Sequence, residues 1–455
     1  MNPLKFQRLY LLAVLSSLTS FCLVSCGEKE LTFSEDIAPI VYKNCTPCHQ
    51  PNGGAPFNLI TYTDVAKRAK TIAFVTRTRY MPPWPADPHY THFINERLLS
   101  EAEIAMIQTW ASTGKKAGDT VNLKPTLSYK RQSVLGTPDL IIDVPPVNIA
   151  NDNADQFYLI KIPYQIKEAQ YVKAVEYVAG QPSIVHHANG HLLLFDNATN
   201  PFDGQRIIKT GDTNFVERFN QLKLLNSNGS VPTRVHSAFN YLPGSFGVKY
   251  PNGIGGFILS PNGTFVANDI HYGPSKKTLI DSSKLYVYFA NKKPERPTFE
   301  IMLGTNGVAP IVPPLQIAPN AISKHITELT IYNDISVLTI NPHMHLIGQQ
   351  FKAYALKPNG DTVRLIHIPQ WQFRWQYFYT FTKPVRIPKG SIIRVEAVFD
   401  NTLKNPNNPF NPPQLIGERN DHGGASMRTT DEMLQFIITY MPYEKGDENI
   451  DLTQP

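Results

Sequence analysis

The 455-residue sequence predicts a multi-domain chain: a small all-α segment, then two all-β sandwiches. Three observations predict it. Residues 30 to about 116 carry helical periodicity and a capping box. From Pro138 onward, short β-branched and aromatic runs alternate with Pro/Gly/Asn turns, and long helical patterns are absent. About 320 residues of that texture exceed one sandwich, so two are expected, dividing near Asn291–Pro297.

The chain opens with Lys5 and Arg8, followed by an apolar run from Leu11 to Val24. That length and Ser content fit an export signal better than a membrane span. The run ends in Leu23-Val24-Ser25-Cys26-Gly27, which resembles a bacterial lipobox. Cleavage after residue 25 would leave Cys26 as a lipidated first residue. An ordinary signal peptide with an incidental cysteine is the alternative. Lipidation implies a bacterial cell-envelope protein, anchored in the membrane by lipid. Gly27-Glu28-Lys29-Glu30 lacks a strong inner-membrane retention pattern, which favours the outer membrane.

The helical segment, residues 26–120, contains Asn44-Cys45-Thr46-Pro47-Cys48-His49, a C-x-x-C-H motif. Behind an export signal this spacing reads as covalent c-type haem attachment: two thioether bonds from Cys45 and Cys48, with His49 on the iron. A thioredoxin-like pair or half a zinc site are the other readings, and no second C-x-x-C exists to complete the latter. The haem motif makes the segment resemble a small cytochrome c. Asp36–Tyr42 would be its first helix. Ser100-Glu101-Ala102-Glu103 caps a helix carrying Ile104, Ile107, Trp110 and Ala111, and Gly114 closes it. Met81, in Tyr80-Met81-Pro82-Pro83-Trp84, is the candidate sixth ligand, with Met106 the rival; without either, the iron is five-coordinate.

Cysteine usage leaves no disulfide. Cys22 departs with the signal, Cys26 takes lipid, and Cys45 and Cys48 take haem. Stability must come from core burial, which 42% hydrophobic residues can supply. Net charge is +6 without a basic stripe, which argues against nucleic acid. Residues 121–137 are polar and aperiodic, and read as a linker. Residues 138–296 and 297–455 are the two expected β units.

Histidines cluster in three motifs: Val185-His186-His187-Ala188, Asp269-Ile270-His271-Tyr272-Gly273 and Asn341-Pro342-His343-Met344-His345. In a strand, i and i+2 share a face, so His343 and His345 can share one ion. His186 and His187 converge only if the chain turns or bulges. Imidazoles with a thioether suit copper in both oxidation states. His191, four past His187, could support the same site. His89, His92, His236, His325, His367 and His422 read as ordinary polar positions.

With Thr430-Asp431-Glu432-Met433 added, the motif order resembles the copper type II, ascorbate-dependent monooxygenases, across about residues 138 to 442. The resemblance implies two jelly-roll sandwiches with one copper each. His186, His187 and His271 would hold an electron-storing copper; His343, His345 and Met433 would hold the copper where O2 binds. The absence of disulfides and the M-P-P-W loop are similar to the family's bacterial members, which carry a fused haem domain. In the family's peptide-hydroxylating enzyme an Arg, an Asn and a Tyr clamp a carboxylate; here those positions are Asn341, Gln435 and Ile437.

The resulting expectation is a monooxygenase that hydroxylates a C–H bond of a small molecule. It would use O2, two copper ions and one covalent haem, with ascorbate or another one-electron reductant as donor. The competing expectations are a non-catalytic haem/copper electron-transfer or copper-handling lipoprotein, and a copper reductase that turns over without O2.

Overall fold

The computed structural model describes residues 30–453 apart from 52, 122, 124–132, 134, 211–214, 244–246 and 420–427. The export signal, Cys26, most of the linker and His422 therefore lie outside the described residues.

Alternating burial in the strands builds two stacked pairs of antiparallel sheets. The first pair joins a four-stranded sheet to a five-stranded one. The five-stranded sheet runs in the spatial order Ile207–Lys209, Gln156–Gln165, Asn262–Tyr272, Val185–Leu194, Thr233–Tyr241. Ile142, Val175 and Leu285 of one layer meet Ile160, Leu192, Phe265 and Ala267 of the other in a common core. The outer face of the five-stranded sheet is covered too. Leu159, Leu193 and Val266 pack with Leu222 of the helix Phe215–Leu222 and with Leu224. Burial on both faces explains why Gln156–Gln165 reads as a near-continuous apolar run.

The second pair opens at Phe299–Gly304. Its four-stranded sheet orders Phe299–Gly304, Leu434–Pro442, Ile335–Met344, Tyr379–Ile387. It faces a five-stranded sheet containing Ile322–Thr330, Ile392–Asp400 and Gly348–Leu356. Ile340, Leu434 and Phe436 meet Phe351, Leu365 and Val395 in the second core. Leu338 and Met441, on the other face of the four-stranded sheet, pack with Leu452 and with Tyr250 and Ile254 from the first sandwich.

The expected fold class is corrected at the N-terminus. The chain is mostly β-sheet, with 37% strand against 12% helix, and no sizeable all-α domain precedes the sandwiches. The α-helices Ala38–Asn44, Tyr62–Lys67, Ala69–Arg77 and Glu101–Ser112 are short. They share a small cluster around Phe33, Val65, Ile107 and Trp110. Between the last two helices the chain carries Pro82, Pro83, Pro85 and Pro88, which lack the N–H a helix needs. This stretch finds its burial on the second sandwich instead. Ala86 and Phe93 join its core, Phe93 bridges Phe381, and Ile94 N donates to Thr380 O at 2.8 Å. The helices and their connecting loop thus form an appendage built onto β-sheet. The capping box does form, with Glu103 N donating to Ser100 Oγ and Ser100 N donating to Glu103 Oε2.

Candidate functional site

The H-H and H-Y-G motifs lie on neighbouring strands, and His187 pairs directly with His271. The register shifts between Val185 and His187, so a bulge absorbs His186. The bulge cancels the alternation that would send adjacent side chains to opposite faces. The His271 ring therefore lies 4.6 Å from His186 and 5.1 Å from His187. Gly273 leaves room for the ring: a Cβ on it would fall 2.5 Å from His186 Nε2 and push the imidazole aside.

Asp155 completes this cluster, and no motif pointed to it. Its Oδ1 lies 2.8 Å from His271 Nε2, and the donor atoms of Asp155, His186 and His271 all lie within 4.8 Å of one another. The hydrogen bond from His271 is the main reason the Asp155 carboxyl sits below its usual range. Phe157 stacks on His271 at 4.3 Å and fixes the ring plane. Burial, reinforced by the neighbouring His271, lowers His186 to about 4, so it is a neutral donor at physiological pH. Its Nδ1 is buried with no hydrogen-bond partner among the described residues, as suits an atom that would ligate a cation.

His343 and His345 lie at the end of Ile335–Met344 with ring centroids 5.1 Å apart. His343 Nδ1 is 2.5 Å from Gln376 Oε1, and His345 Nδ1 is 3.0 Å from Asp431 O. Both acceptors are carbonyl oxygens, so each ring carries its proton on Nδ1 and its lone pair on Nε2. Metal-binding imidazoles are commonly oriented in this way.

Met433 is buried one residue ahead of Leu434–Pro442. Glu432 ties it to the histidines: its carboxyl accepts from His345 N at 2.9 Å, Ile347 N at 2.9 Å and Met433 N at 3.2 Å. Burial pushes Glu432 up to about 8 against the pull of those three donors. The Asp-Glu-Met segment and the H-x-H strand are thereby one structural unit, and Glu432 is its tie. The two clusters face a common residue. The Phe373 ring lies 6.5 Å from His187 and 5.9 Å from His345.

Cys45 caps the helix Ala38–Asn44, and His49 N donates to Cys45 O at 2.9 Å, which curls C-x-x-C-H into a turn. His49 Nδ1 is 3.0 Å from Phe57 O, which directs Nε2 to the other side of the ring. Two thiols and an oriented imidazole fit a covalent haem. Burial pushes the Cys45 thiol up to about 12. Met81 opens the Pro-rich loop, and Met106 packs against the helical cluster.

His191 does not support the His187 cluster. The bulge between Gly190 and Leu192 breaks the simple alternation, and its ring lies 5.4 Å from His236. His325 is buried and bonded to Pro313 O and Ser323, a structural role.

The fold and the site define a two-sandwich chain with an imidazole cluster in each sandwich and a C-x-x-C-H turn at its side. No family model and no curated protein matches the chain. Among solved structures, the major capsid protein P2 from bacteriophage PM2 is 10% identical, with a TM-score of 0.24, over 68% of this chain and 99% of its own. The infectious bursal disease virus Gt strain structure is 11% identical, with a TM-score of 0.16, over 69% and 74%. Scores this low carry no inference about this chain.

Proposed function

We propose that this chain is a copper-dependent monooxygenase that hydroxylates a C–H bond of a small, neutral or weakly polar substrate with O2. The observation that carries the reading is that His187 of the His186/His187/His271 cluster and His345 of the His343/His345/Met433 group both pack against the Phe373 ring. The coppers supply O2 activation and single-electron storage, which closed-shell side chains cannot provide.

The residues themselves supply ligand geometry and polarity. Asp155 and Phe157 hold His271; Gln376 and Asp431 hold His343 and His345 in one tautomer. The buried Met433 thioether is a soft donor that favours reduced copper. Asn341 Nδ2 donates to Tyr377 O at 3.0 Å, and Gln435 Nε2 donates to Thr305 O at 2.8 Å. Those side chains are committed to the fold, and Ile437 is apolar, so none of these three positions supplies a cation for a substrate carboxylate. Peptide amidation is disfavoured on this ground.

Cys45, Cys48 and His49, with Met81 as a further ligand, would hold a haem, which would supply single electrons taken from ascorbate or another one-electron donor. Lipid on Cys26 would hold the protein in the bacterial outer membrane. Among the described residues no helix is long and apolar enough to cross a membrane.

Oxygen uptake by copper-loaded protein tests the reading, with neutral aromatic and aliphatic compounds run beside a glycine-extended peptide. Substrate-dependent uptake and a product heavier by one oxygen are expected with a neutral compound. Fastest turnover with the peptide would restore amidation. No uptake with any compound would favour a non-catalytic electron carrier.

A further inference from the structure

The Pro-rich loop after Met81 does more than pack. Tyr377 Oη donates to Pro83 O at 3.1 Å, and Tyr377 is buried. Trp84 lies 5.5 Å from the Tyr377 ring, and Trp375 lies 6.2 Å from it with planes 10° apart. The next residue back along the chain is Gln376, whose Oε1 meets His343 Nδ1 at 2.5 Å. Asn341, two residues before His343, also bonds the Tyr377 carbonyl. One tyrosine thus joins the Met81–Trp84 loop to the H-x-H strand by two hydrogen bonds and a short covalent path.

We propose that Tyr377 and Gln376 form the bridge that carries single electrons from the Met81–Trp84 loop to His343. The proposal rests on the haem and copper reading above. Tunnelling falls off more slowly through covalent bonds and short hydrogen bonds than across van der Waals gaps. The Pro83–Tyr377–Gln376–His343 path contains only the former. A competing route among the described residues leads toward the other histidine cluster. Cys48 Sγ lies 3.8 Å from Pro243 O, and Tyr241, two residues earlier, pairs with Ala188 beside His187. That contact loses its hydrogen once Cys48 becomes a thioether, and only a van der Waals gap remains. The electron balance is simple: ferrous haem becomes ferric, one cupric ion becomes cuprous, and no proton need move.

The test mixes full-length protein bearing ferrous haem and cupric copper without oxygen, using rapid photoreduction of the haem to start the reaction. Haem oxidation is followed by visible absorbance and copper reduction by loss of the cupric resonance. Tyr377→Phe keeps the ring and deletes the hydroxyl. It should slow transfer at least tenfold, with haem spectrum and copper content unchanged and the urea midpoint lowered only as far as the loss of one buried hydrogen bond requires. Tyr241→Phe should leave the rate at the parent value. Equal rates in Tyr377→Phe and parent would overturn the bridge while leaving the functional reading intact, as would a slowing confined to Tyr241→Phe. A parent protein that binds no haem or copper, or transfers no electron between them, would sink the functional reading and the bridge together.

Discussion

Glu432 offers the most direct test of how the second cluster is built. Its side chain is 1% exposed, and its carboxyl accepts three backbone N–H groups, from His345, Ile347 and Met433. Glu432→Ala leaves all three donors without that acceptor. An orphaned buried donor costs about 1–3 kcal/mol, so the variant should lose about 3–5 kcal/mol once partial relaxation is allowed. Glu432→Gln is milder. Its amide oxygen can still serve His345 and Met433, while its amide N–H groups confront Ile347 N, at a cost of about 1–3 kcal/mol. Urea unfolding followed by tryptophan fluorescence gives the stability, and copper retained after dialysis gives the site occupancy. The expected order is parent, Gln, Ala, with the alanine variant losing one of two coppers. An alanine variant within about 0.5 kcal/mol of the parent that kept both coppers would refute the idea that Glu432 joins His345 to Met433.

Three further outcomes follow from the same geometry. Asp155→Asn should weaken copper at the His186/His187/His271 cluster by about 10–100-fold, read by competition with a chelator, and leave the other cluster unchanged. Met433→His should keep copper bound yet suppress oxygenation, since a harder ligand replaces the thioether; full turnover would contradict Met433's role. The buried Lys161 donates to Asp203 O, Leu222 O and Lys223 O, and burial lowers it to about 8 from 10.5. Between those values the unfolded chain holds a proton the folded chain has released. Stability should therefore rise with pH across that window, and Lys161→Met should abolish the rise while costing on the order of 2 kcal/mol.

Much of the candidate site was legible because metal-ligating residue types are scarce and their spacing is meaningful. H-x-H predicts a shared face from strand periodicity alone, and His343 and His345 do share one. C-x-x-C-H marks its own turn. What sequence left open at His186 and His187 was a matter of register: only the bulge against Asn262–Tyr272 brings both rings to His271. Asp155 lies in no motif and reaches His271 from another part of the chain. Glu432 was visible inside Asp-Glu-Met without a role, because its three partners are backbone N–H groups that any sequence possesses.

The sequence by itself determined the β character of the C-terminal three-quarters, since period-two apolar runs can bury one face only as strands. It also singled out the histidine motifs, though not Asp155. Only the tertiary structure decided what became of residues 78–99. The prolines marked a loop at Met81–Trp84 within the helical segment, but no local pattern told that Phe93 and Ala86 join the core of the second sandwich. Tertiary packing also set the two histidine clusters against one Phe373 ring and placed Tyr377 between the Met81–Trp84 loop and the His343 strand. Tyr377–Pro83 and Phe93–Phe381 join residues nearly three hundred positions apart. They arise from the fit of whole faces, and no local pattern encodes them.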